Sequence, residues 1–143
     1  METDRNQTMA ETKVGLGPDL PDTEAALFEL DHYPLFDIEV GIKVVGNEEL
    51  ARDLLNDLIM EIADDLSLII KAHTEGDWNA VEELAHKMKG GSDFGTVRMH
   101  YALLYMERYR KAGHTKLSEE LYTQMLQVID DTMAYLDKFL KAK

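Results

Sequence analysis

The sequence predicts an all-α fold: an antiparallel up-down four-helix bundle with a short additional N-terminal helix. Three observations carry this. Apolar residues recur at spacings of three and four from residue 37 onward, and no segment alternates in the manner of a strand. All three prolines, Pro18, Pro21 and Pro34, precede that region. The periodic segments are separated by turns of two to five residues, as antiparallel bundle helices require.

Residues 1–35 stand apart as an acidic, mostly disordered tail or linker. They hold eight acidic and two basic residues, a net charge of −6 out of −13. Asp22 or Thr23 is placed to cap a short helix that Pro34 stops. The bundle then occupies 36–143. Asp37 to Val45 forms a first short helix closed by Gly46. Asn47 caps a long helix to about residue 73, roughly 40 Å in length. Its stripe includes Leu55, Leu58, Ile62 and Ile69. Gly76 and Asp77 end it and start the next, which runs from Trp78 and buries Val81, Leu84, Ala85 and Met88. A further helix spans about Thr96 to Ala112 and is closed by Gly113. Thr115 caps the last, with Leu121, Met125, Ile129 and Leu136 on its apolar face.

Composition excludes several classes of function. There are no cysteines, so disulfides, thiolate chemistry and cysteine-based zinc sites are ruled out. A net charge of −13 repels nucleic acid and anionic lipid. No apolar run approaches the roughly 18 residues of a membrane span, and no His/Asp spacing resembles a metal box.

Helical phase singles out one histidine. With Val81 at zero and about 100° per residue, Leu84, Ala85 and Met88 lie within about 60° of zero and define the buried face. His86 falls at roughly 140°, Lys89 at 80° and Gly90 at 180°, so His86 faces water with Lys89 beside it. An exposed imidazole titrates near neutrality and offers a nucleophilic nitrogen. A lysine at i+3 can set a cation against a phosphoryl group on that nitrogen. Glycine at i+4 lets a partner backbone approach. The Gly90-Gly91 pair costs about 1 kcal/mol per glycine of helix stability, so it asks for a reason.

The stretch Leu84-Ala85-His86-Lys87-Met88-Lys89-Gly90-Gly91-Ser92 resembles the motif of histidine-containing phosphotransfer (HPt) domains. In that motif a histidine is followed by any residue, an aliphatic, a lysine and a glycine. A later glycine precedes the next helix, and either Gly95 or Thr96 stands in its place. Val97 through Glu107 resembles the family's following helix, which commonly ends in Leu-Glu.

The resemblance implies a phosphorelay intermediate. It would take a phosphoryl group onto His86 from a receiver-domain aspartate and pass it to another receiver-domain aspartate. Lys89 would stabilise the phosphate and Gly90 give steric access. No metal or cofactor of its own is implied, the magnesium coming with the receiver. Nor is autokinase activity: the chain would be a carrier rather than a turnover enzyme. The implied partners are response-regulator receiver domains and a hybrid histidine kinase, met in the cytoplasm by a monomer. Lys87, Phe94 and Asp93 are the candidates for docking them. Asp93, set beside the phosphoryl group or competing for Lys89, is expected to slow transfer or alter partner choice. The alternative is a non-phosphorylated bundle that binds and regulates a response regulator. The chain reads equally as a free-standing relay protein or as the terminal module of a kinase.

Overall fold

The computed structural model describes residues 16–142, all of whose regular elements are helical. Five α-helices follow in order: α1 (Ile38–Val45), α2 (Glu48–Thr74), α3 (Trp78–Gly90), α4 (Val97–Lys111) and α5 (Ser118–Ala142). Short 3-10 turns at Ala25–Phe28 and Gly91–Phe94 lie before α1 and between α3 and α4.

The helix starts follow side-chain chemistry. Asp37 accepts from the Glu39 amide, Asn47 from Leu50 at 2.8 Å and Asp77 from Ala80, each satisfying an otherwise orphaned donor. Gly46, Gly76 and Gly113 close helices with φ of 103°, 75° and 95°. The last helix departs from expectation. It starts at Ser118, three residues beyond Thr115, and the Thr115 carbonyl receives the Ser118 amide in a turn.

Helices α2 to α5 form the bundle around a core that includes Leu55, Ile62, Ile69, Val81, Ala85, Met99, Leu103, Met106, Leu121, Met125, Ile129 and Leu136. Each α-helix contributes the face its apolar spacing assigns. The connection from α3 to α4 is unusually tight. Gly95 has φ 113°, and a Cβ there would collide with the Asp37 carbonyl, so this position admits only glycine. Thr96 is fully buried and its Oγ1 donates to the Ser92 carbonyl. Gly95, nine residues after His86, therefore fills the turn position that the sequence left open between Gly95 and Thr96.

Part of the segment expected as a mostly disordered 1–35 tail is ordered. Residues 1–15 lie outside the described residues, but 16–35 pack on the bundle. Leu27 and Leu30 are buried in the main core, and Tyr33 stacks on Tyr101 with ring centroids 3.9 Å apart. Arg98 donates to the Tyr33 and Asp31 carbonyls, Gln124 to the Leu27 carbonyl, and Arg108 to Asp19 at 2.7 Å. Composition identified the segment as polar. It did not show that a few leucines and its backbone carbonyls find partners across α4 and α5.

Candidate functional site

His86 lies in the third turn of α3, and its side chain is 61% exposed. The predicted phase is the observed one: Val81, Ala85 and Met88 are buried on the opposite face. Its Nδ1 is 2.9 Å from Oε2 of Glu107 on α4. Glu107 is only 1% exposed, yet it gathers three cationic or hydrogen-bonding groups. Lys111, one turn further along α4, donates to the same Oε2 at 2.9 Å. Lys89 approaches Oε1 at 3.0 Å as an ion pair, without the alignment of a hydrogen bond.

This environment sets the charge of Glu107. Burial pushes its carboxyl pKa up, but the Lys111 hydrogen bond, the Lys89 ammonium and the His86 contact outweigh that and hold it at about 2. The carboxylate is therefore ionised at neutral pH and can only accept. A neutral imidazole facing it must carry its hydrogen on Nδ1, which leaves the lone pair on Nε2. The arrangement is the one by which a buried carboxylate orients a reactive histidine and selects its tautomer.

The sequence-derived residues are distributed unevenly around this pair. Lys89 stands beside it, as expected, but its side chain is 12% exposed and engaged by Glu107. Its ammonium thus reaches His86 through a carboxylate rather than lying open next to the ring, because the 80° phase puts it at the edge of the buried stripe. Gly90 is open: nothing lies within 4 Å of where a Cβ would be. Gly91 has a packing reason instead, since a Cβ there would come within 2.8 Å of Leu58 Cδ1.

Among the docking candidates, Lys87 is exposed but paired with the nearly buried Asp65 of α2 at 3.0 Å, and that hydrogen bond and charge raise its pKa. Phe94 is half-buried against the core, its carbonyl packed on Gly41. The side chain of Asp93 lies outside the described residues. The other histidines are engaged elsewhere, His32 with its ring 4.0 Å from that of Tyr33. His73 bonds Glu119 and stacks on Tyr122, His100 bonds Ser92, and His114 bonds the Leu16 carbonyl. Among the described residues no group of three His, Asp or Glu side chains converges to hold a metal, and no helix is long and apolar enough to cross a membrane.

In the sequence alone Glu107 is only the end of a Leu-Glu pattern, and nothing there gives Lys111 a role. A signal was present. Glu107 is one turn after Leu103, within the buried stripe of α4, and a carboxylate there needs partners.

The model of the Hpt domain family matches residues 53–138, more than half of the chain and all of α3 and α4. The chain belongs to this family, whose members serve histidine phosphotransfer in the phosphorelays of two-component signalling. No curated protein and no solved structure matches it significantly.

Proposed function

We propose that His86 is the phosphorylated residue of a relay intermediate, accepting the phosphoryl group from one receiver-domain aspartate and delivering it to another. The observation that carries this reading is the exposed imidazole whose Nδ1 is held by a buried, ionised carboxylate. In the accepting step the Nε2 lone pair forms the N–P bond while the P–O bond to the aspartate breaks. That bonding pair returns to the aspartate carboxylate. The ring keeps its Nδ1 hydrogen and becomes a phosphoimidazolium, whose charge faces Glu107. Delivery reverses these movements.

Phosphoryl transfer through a loose transition state asks mainly for alignment and charge neutralisation. The chain supplies alignment through Glu107 and clearance at Gly90. Lys89 acts by keeping Glu107 ionised. The magnesium ion that neutralises the phosphoryl oxygens belongs to the receiver. The partners in this reading are a hybrid histidine kinase and response-regulator receivers, met in the cytoplasm by a monomer.

Incubation with phosphorylated receiver domains tests it. Acid-labile, base-stable label on His86 is the expected result. Label that persists in His86→Gln would refute the assignment.

A further inference from the structure

We infer that Lys111 is the cation that meets the phosphoryl group carried by His86. The inference deepens the carrier reading and rests on it.

The two lysines at the site differ in what they have left to offer. Lys89 is 12% exposed and lies on the Oε1 side of Glu107, away from the oxygen that holds the imidazole. Lys111 is 55% exposed and shares Oε2 with His86 Nδ1. An ammonium has three hydrogens, and the bond to Glu107 uses one of those on Lys111. His86 and Lys111 also line one open cleft of about 340 Å³, with Asn79, Glu82 and Glu83. Among the described residues Lys111 is the only lysine or arginine lining it.

The charge balance of this cleft points the same way. A phosphoryl group on Nε2 would bring negative charge beside two carboxylates. Glu82 is paired with Arg110 at 2.8 Å, while Glu83 is exposed. Repulsion from Glu83 has to be offset from within the cleft, and Lys111 is the cation that lines it among the described residues. A cation on α4, one turn beyond the carboxylate, therefore serves both ends of the ring: it keeps the Nδ1 acceptor ionised and meets the anion formed at Nε2.

Phosphoramidate is a suitable probe, because a small phosphoryl donor reports on the site without receiver docking. The parent, Lys111→Gln, Lys111→Arg and Lys89→Gln would be labelled with it and followed by phosphorus NMR, with circular dichroism to verify folding. For Lys111→Gln we expect labelling about tenfold slower, restored to within about threefold by Lys111→Arg. The pH midpoint of the phosphohistidine resonance should also rise by about half a unit, because removing a nearby cation disfavours the dianion. Loss of a merely structural contact with Glu107 would shift the midpoint no more than Lys89→Gln does, since Lys89 pairs with the same carboxylate. An unchanged rate and midpoint in Lys111→Gln, or a larger midpoint shift in Lys89→Gln, overturns the inference while the carrier reading stands. Absence of label from the parent, or label retained by His86→Gln, overturns both.

Discussion

Two neighbouring residues of α3 reach carboxylates on opposite sides of the helix. Lys87 meets Asp65 of α2, and His86 meets Glu107 of α4. Both acids are buried or nearly so, and both contacts are about 3 Å long. Asp65 holds a single exposed ammonium, which can return to water at little cost. Glu107 holds an imidazole and two ammonium groups, one of them nearly buried. Ion pairing alone therefore does not mark a site. What distinguishes the α4 side is a carboxylate fixed in its charged form with a titratable, nucleophilic ring as one of its ligands.

The largest expected effect tests that difference directly. Glu107→Ala strands Lys89 and should cost about 3 kcal/mol of stability in urea denaturation at neutral pH. Asp65→Ala should cost distinctly less. The Glu107 contribution also has a defined pH range. Its folded carboxyl titrates at about 2 against an ordinary value of 4.5, so its stabilisation is complete above about pH 4.5 and is lost as pH falls towards 2. The stability gap between the parent and Glu107→Ala should narrow across that window. A gap independent of pH between 5 and 2 would show that the ionised carboxylate is not its source.

A subtler change separates orientation from folding. Glu107→Gln keeps the shape but no longer dictates which nitrogen of His86 carries hydrogen, so transfer from a phosphorylated receiver should fall about 10- to 100-fold. Asp65→Asn should leave the transfer rate within about threefold. Equal losses in the two variants would erase the distinction drawn between the two sides of α3.

Glycines on either side of the α3 end extend the contrast from side chains to backbone. Gly95→Ala forces a side chain into a left-handed conformation against the Asp37 carbonyl and should destabilise by about 2 kcal/mol. Gly90→Ala meets open space inside a helix and should stabilise by about 0.5 to 1 kcal/mol. It should nevertheless slow transfer from a receiver more than labelling by phosphoramidate, since only the receiver brings a backbone close. A Gly90→Ala variant with parental transfer from the receiver would leave this glycine without a role in access.

Much of this was legible in one dimension. The stripes that build α2 to α5 recur every three or four residues, so Asp77, Asn47 and the closing glycines could be placed from local chemistry alone. The exposed phase of His86 followed from Val81, Ala85 and Met88 in its own helix. Lys89 was harder, because a residue at the edge of a stripe turns inward or outward according to what the neighbouring helix offers. The short helix at Ala25–Phe28 is legible, with Thr23 accepting from the Ala26 amide, but the packing of residues 16–35 on the bundle is not, for a related reason. Their order comes from Arg98, Arg108 and Gln124, whose partners lie 65 to 97 positions away in the chain.

Periodicity, capping and turn chemistry are local, and so the sequence by itself determined the helices, their order and the outward face of His86. The tertiary structure alone decided what surrounds that histidine. The register of α3 against α4 brings together residues 21 positions apart, so that one buried carboxylate orients the ring, engages Lys89 and presents Lys111 to the same cleft. No local rule encodes that register, because it is set by how the two apolar faces interlock.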